Sequence, residues 1–433
     1  MQLGWQTQRL VNNSTPLQQL LRTISLPKSL DSVVSIDEDS EVAAAATGLR
    51  AKARDQIWKA VRGLYATGYY PALTLCLRHR GEILMNRAIG HAAGNHFGAT
   101  GDQQKVLAHP QTPICLYSAS KAITATVIHK LAEQGKLNLL DPISHYIPEF
   151  SQNGKERTTI YQLLSHRAGI PGIPPDQPFE TVYDHRASLK LLCAAKPIDE
   201  YGRTQAYHAV TGGVILQELV AKVSGGDIAQ YWQQHFKQPM GLKVFDYGAD
   251  AKTLDKMAED SVTGMKPRWP LNRVIEGVLG TNLDEAMQVI NDRRFFAQPI
   301  AAANMVATAE EVSRFYQMLL NHGNYRGKQL LDPLTVHRLT WETGPHRFDG
   351  LLKLPLRYTP GMMLGGTPFG LFGSNTGNAF GHPGLVNTLT WADPDRDIAV
   401  ALLTTGKPVM AGNLPALIKL LLTISNNIPS HKH

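Results

Sequence analysis

The residues that favour extended structure sit at the two ends of this chain, and that placement limits the fold more than any other feature. Ala72 to His79 and Ile83 to Ile89 are apolar, β-forming runs separated only by Arg80-Gly81-Glu82, a short glycine-containing connection that predicts a hairpin. Far downstream, Thr388 to Ala392 and Ile398 to Thr404 flank Asp393-Pro394-Asp395-Arg396-Asp397, a proline-containing turn between two more strands. The stretch between these hairpins carries helical periodicity instead. The simplest packing is an α/β (α+β) fold, in which one antiparallel sheet built from both ends is flanked by helices and the middle forms a mainly helical lobe.

Helical spacing supports this division. Ile57, Val61, Leu64 and Tyr65 fall on one face, with Gly68 as a stop; Ile123, Val127, Ile128 and Leu131 fall on another, ending at Gly135. Further helices are predicted over 210–223, about 283–293, 309–322 and 415–425. The expected organisation is a leader over 1–52, a sheet domain from 53–115 and 301–433, and a helical domain over 116–300. The leader is polar, with acidic residues Asp37, Glu38, Asp39 and Glu41 before the run Ala43 to Ala46, and reads as a loosely attached arm.

Composition removes several functional classes. With 43% hydrophobic and 18% charged residues in 433, the chain has ample material for a large core. The net charge of +7 is spread thinly, and clusters such as Arg78-His79-Arg80 are too short to predict a nucleic-acid or membrane patch. Three scattered cysteines, Cys76, Cys115 and Cys193, suggest neither a disulfide framework nor a zinc site. The N-terminus is a poor secretory signal, and no apolar run reaches the roughly 18 residues of a membrane span, so the expectation is a cytoplasmic protein. Phosphate-binding glycine loops, H-E-x-x-H and the G-x-S-x-G nucleophile elbow are all absent.

What remains is Tyr117-Ser118-Ala119-Ser120-Lys121 at the start of a predicted helix. A serine and a lysine three residues apart share a helix face, so the amine can reach the hydroxyl. Serine is a weak nucleophile until a neighbouring base takes its proton, and a lysine whose charge is disfavoured by burial can do so. The helix N-terminus adds free N–H groups suited to an oxyanion. Ser120 points about 200° away from Ser118 and is read as structural.

The run from Tyr117 to Phe150, followed by Thr158 to Pro171, resembles the serine β-lactamase/penicillin-binding-protein superfamily, nearest to class C β-lactamases and family VIII carboxylesterases. Three further segments agree in order: Ala206-Tyr207-His208-Ala209, the 305–340 stretch, and Gly381-His382-Pro383-Gly384. The resemblance spans roughly 60–425. It implies that Ser118 is the nucleophile of an acyl-enzyme and that Lys121 lowers its barrier. It implies further that Tyr207, as a phenolate or in a Tyr–Lys pair, acts as general base and returns the proton to the leaving group. His382 and Gly384 match the third motif, where the N–H of Leu385 would complete an oxyanion hole with that of Ser118. His166 and Asp141 lie in well-matched segments and are read as structural. The implied mechanism needs no metal or organic cofactor.

Two departures bear on substrate. Ala209 stands where β-lactam-directed members carry Asn, and His382 stands where they usually carry Lys. Both remove groups that would hold an amide or a carboxylate. The leading expectation is therefore a carboxylesterase on short or medium-chain esters. A β-lactamase or D-amino-acid-releasing peptidase is the alternative close in mechanism, and a catalytically silent binding or assembly protein of the same fold is the other. Retention of Ser118, Lys121 and Tyr207 counts against the last. The expected partner is a small-molecule ester or amide, with a homo-oligomer left open. The pocket walls are expected from the leader, 173–186, 250–300 and 360–377.

Overall fold

The computed structural model describes residues 20–99, 104–172, 177, 179–199, 201–344 and 347–431. Strand β1 (Val34–Ile36), helix α1 (Ala53–Tyr65) and the hairpin of β2 (Ala72–His79) and β3 (Glu82–Ala93) open the chain. The hairpin turns through Arg80 at φ 55° and Gly81 at φ 85°, the left-handed pair that matches strand twist. A short ladder follows, in which β4 (Ile114–Cys115) leads into helix α2 (Ser120–Glu133). The helical lobe contains α3 (Thr211–Ser224), α4 (Leu271–Leu279) and α5 (Leu283–Ile290). The chain then returns through β5 (Met305–Ala307), α6 (Ala309–Leu320), β6 (Met363–Leu364), β7 (Phe380–Pro383), β8 (Leu389–Asp393), β9 (Ile398–Thr404) and α7 (Leu414–Asn427).

The main sheet has the order β1-β3-β2-β9-β8-β7-β6, with Val106–Leu107 added beside β3. Its central seam joins the two ends of the chain: β2 pairs antiparallel with β9, from His79 opposite Ile398 to Leu73 opposite Thr404. Side chains alternate across this seam. Leu73, Leu75 and Leu77 join Ile398, Val400 and Leu402 beneath α1 and α7. The opposite face carries the small residues Ala72, Cys76, Ala399 and Ala401, so α6 lies close across β2, β8 and β9. Burying each of these leucines contributes about 1.5–3 kcal/mol. No helix among the described residues is long and apolar enough to cross a membrane.

Several expectations require correction. The described part of the leader is not a loose arm. Val34 to Ile36 extends the sheet beside β3, and the acidic patch supplies a buried anchor. The Glu41 carboxylate grips Arg87 at 2.7 and 2.6 Å and accepts the Asn86 N–H at 2.9 Å, with both side chains less than a tenth exposed. Farther back, Arg22 holds Asp284 of α5 at 2.6 and 3.1 Å. These are long-range pairings that no local periodicity encodes. The helix predicted over 283–293 stops at Ile290, and α4 is a helix that the sequence reading did not predict.

Because Arg87 has its charge compensated chiefly by Glu41, the Glu41→Gln variant should lose about 3–5 kcal/mol of stability through the uncompensated buried guanidinium. Urea unfolding of the full chain measures this, and a loss below 1 kcal/mol would show that the leader contributes little to the sheet.

Candidate active site

The short ladder decides where the chemistry falls. Ile114 pairs with Ala307 and Cys115 with Val306, and Leu116 N–H donates to Met305 O at 2.8 Å. Continued in the same antiparallel sense, this register brings the residues after Leu116 against those before Met305. Ser118 and Lys121 thereby meet the 300–304 loop. The Lys121 amine lies 3.0 Å from Ser118 Oγ and 3.1 Å from the carbonyl of Ala302. That loop is held rigid by Asn304, fully buried, which accepts from Ile300 N–H at 2.8 Å and donates to Phe295 O and Gln298 O at 2.8 and 2.7 Å. Ser120 keeps its structural role, accepting Met305 N–H at 3.1 Å.

Ser118 follows a residue in an unfavourable conformation. Tyr117 has φ 48°, a left-handed value that costs a residue other than glycine about 1–3 kcal/mol. Its phenol donates a short hydrogen bond to Asp260, whose other oxygen lies 2.8 Å from the Lys407 amine. Lys407 has no exposed surface, donates to Thr404 O at 2.6 Å, and sits 4.9 Å above the Tyr117 ring. Burial raises the Asp260 carboxyl, against the opposing pull of Lys407 and Tyr117. This buried ion pair behind the nucleophile clamps the strained residue.

Electrostatics separates the two candidate bases. Desolvation pushes Lys121 down to about 7, so a large share of the amine is neutral at neutral pH. Burial raises the Tyr207 phenol, and a hydrogen bond with Ser118 only partly offsets this. The phenolate expected as one option is therefore disfavoured, because the cation over the ring, Lys121 at 5.0 Å from its centroid, is itself easily discharged. The neutral phenol hydrogen-bonds Ser118 instead.

Tyr207 is fixed from behind. Its N–H donates to Asp349 Oδ1 at 3.2 Å, and the same carboxylate, fully buried, accepts from Leu351 and Leu352 N–H and from the Tyr358 hydroxyl. His166, at φ 58°, packs its ring 4.8 Å from that of Tyr207 and accepts His208 N–H at 3.0 Å. Its role is structural, as is that of Asp141, which accepts from the Tyr146 hydroxyl at 2.6 Å. Sequence reasoning missed Asp349, Asp260, Lys407 and Asn304. Tyr117 alone carried a local signal, by standing next to the serine.

The third-motif residues lie on β7 and just beyond it. A Cβ on Gly384 would stand 2.5 Å from Leu116 O, so only glycine lets this strand approach the start of α2. Gly384 N–H is committed to Thr388 O at 2.8 Å, and Gly384, Leu385 and Ser118 all line one cavity. His382 is buried, and its Nδ1 lies 2.6 Å from Pro383 O, a contact that requires the proton on Nδ1. Desolvation and Lys121 push this imidazole down to about 3, so it carries no charge at neutral pH.

Ser118, Tyr207, Gly384 and Leu385 border a cavity of about 620 Å³. Among the described residues lining it there is no charged side chain, and Ala209 contributes a methyl group where an amide had been the alternative. Walls come from Val182, residues between 265 and 300 and Met363, as expected, but also from Ala303 and 408–414. None of the described leader residues lines it. Positions 173–176 and 178 of the expected wall fall outside the described residues.

A serine hydroxyl 3.0 Å from a desolvated lysine amine, at the edge of an apolar cavity, is a constellation suited to a serine hydrolase. The family model described as Beta-lactamase matches residues 57–423, and the chain belongs to that family of serine hydrolases. Among its relatives is "Esterase/beta-lactamase LipL" of Mycobacterium tuberculosis, 30% identical over 299 residues, covering 66% of this chain and 68% of the relative. A penicillin-binding-protein homologue from Caulobacter crescentus superposes with a TM-score of 0.74 at 24% identity, covering 86% of this chain and 96% of that one. A family VIII carboxylesterase superposes with a TM-score of 0.71 at 23% identity, covering 86% and 98%. The two structures establish the shared fold.

The clamp behind Ser118 is open to a double-mutant cycle. Asp260→Asn alone should cost about 3–5 kcal/mol by stranding the Lys407 charge. Adding Lys407→Met should recover more than half of that loss, since no buried charge is then left alone. Additive losses in urea unfolding would mean that the two groups do not act as a pair.

Proposed function

We propose that the protein is a carboxylesterase that cleaves uncharged esters through an acyl-enzyme on Ser118. The observation that carries this reading is a lysine amine with a depressed pKa, 3.0 Å from the serine hydroxyl, at the edge of a cavity with no charged lining among the described residues. In the first half-reaction Ser118 Oγ bonds to the ester carbonyl carbon while its proton passes to Lys121 Nζ. The oxyanion accepts hydrogen bonds from Ser118 and Leu385 N–H. The carbon–alkoxide bond then breaks. The neutral Tyr207 phenol hands its proton to the alkoxide and regains one from Lys121. In the second half-reaction water repeats the attack, the acid leaves, and Ser118 recovers its proton.

The cavity also favours esters over the alternatives. A β-lactam carboxylate or a peptide ending in D-Ala would enter a site where no charged side chain lines the wall among the described residues and the buried His382 imidazole on β7 is neutral. Desolvating an unpaired carboxylate there costs several kcal/mol.

With p-nitrophenyl butyrate, the wild type should show a burst, and intact mass after a phosphonate probe should show one adduct on Ser118. Ser118→Ala should abolish both. A burst that survives in Ser118→Ala, or no adduct on folded wild type, overturns the proposal. Lys121→Met should lower kcat/KM by about 10²–10⁴. The pH dependence follows from the sign of the Lys121 shift. Below about 7 the amine is protonated and cannot accept the serine proton, so kcat/KM should rise with pH through a midpoint near 7. A rate flat from pH 5 to 9 excludes Lys121 as the base.

A further inference from the structure

The space beside Ser118 is much larger and more apolar than a short ester needs. A cavity of about 620 Å³ lies in the range of ~300–1,000 Å³ that encloses a whole drug-sized ligand. A butyryl chain occupies only a few water volumes of it, at roughly 30 Å³ each. Filling the remainder with water against aliphatic walls is unfavourable, and displacing that water with methylenes is not.

Helix α4 points to the kind of occupant. Val274, Ile275 and Val278 line the cavity, whereas Arg273 is exposed on the other side. An amphipathic helix of this length is stable only when its apolar stripe is covered. Yet no residue of α4 is fully buried, and much of what its apolar side faces is the cavity itself. The roof of the site therefore lacks a partner that an apolar ligand would supply. Met265 and Leu414 line the same cavity and are 36% and 56% exposed, so the aliphatic surface continues outward to solvent.

We infer that the substrate is an ester carrying a long, unbranched apolar chain, well beyond butyryl, held under α4. This inference rests on the esterase reading of Ser118 and revises the short or medium length expected from sequence. The bond cut and the proton transfers are those of the acyl-enzyme route above; the chain contributes binding that raises kcat/KM.

Two series of esters, each kept below its solubility limit, test it on the full chain: p-nitrophenyl butyrate, octanoate and dodecanoate vary the acyl side, and butyl, octyl and dodecyl acetates vary the alcohol side. Each methylene buried should raise kcat/KM about fourfold until the cavity is full, so octanoate or octyl acetate should exceed its four-carbon counterpart by on the order of 100-fold. The octanoate-to-butyrate ratio should fall at least tenfold in Ala286→Trp, which fills the cavity. It should fall likewise in Val278→Asp, which places a charge on the roof helix at a half-buried position. Rates that are flat or falling beyond four carbons in both series, with Ser118 still acylated, overturn the chain-length inference alone. So does an unchanged ratio in both variants. If no ester acylates Ser118, the esterase reading fails and takes this inference with it.

Discussion

Everything in this site turns on keeping one lysine amine dry. In the proposed mechanism Lys121 is a useful base because burial disfavours its charge, and the Ala302 carbonyl holds its other side next to Ser118. In water the same amine would be protonated and inert toward a serine proton. The surrounding structure can be understood as what this requires. The register of β4 with β5 brings the two segments together, Asn304 locks the loop that presents Ala302, and the aliphatic cavity excludes compensating charge.

Such a site stores strain and needs support from behind. Tyr117 adopts a conformation that few tyrosines occupy, and the fully buried Asp260–Lys407 pair holds its phenol in place. Asp349 does the same for Tyr207 by gathering three backbone N–H groups and the Tyr358 hydroxyl onto one carboxylate. In both cases a costly buried acid is satisfied by several donors at once, which is the condition under which such a group rigidifies its surroundings. The candidate catalytic groups thus sit in the turn leading into α2, on α2 itself and in the loop before α3, while their placement derives from segments far away in the chain.

The apolar cavity connects the scaffold to substrate choice. A neutral His382 and the Ala209 methyl replace the polar groups that would favour a charged amide substrate, and the roof helix α4 leaves its apolar stripe facing the cavity. On the proposed esterase reading, the burial that leaves Lys121 partly discharged also disfavours charged substrates. Base strength and substrate class are two consequences of one low-dielectric environment.

Local pattern was enough to read the strands at both ends, the helix that begins at the nucleophile, and the chemical pairing of Ser118 with Lys121, because period-2 and period-3.6 spacing and turn residues act between near neighbours. The motif order likewise exposed Tyr207 and the Gly384 approach. Other features depended on contacts between residues hundreds of positions apart: the anchoring of Glu41 on Arg87, the Tyr117–Asp260–Lys407 clamp, the Asp349 knot, and the balance of burial that leaves Tyr207 protonated and Lys121 partly neutral. No sequence spacing encodes how deeply a group is buried or which distant carboxylate turns toward it. The sequence by itself determined which residues could react; tertiary structure alone decided their protonation and the apolar space they face, because desolvation is a property of the packed whole.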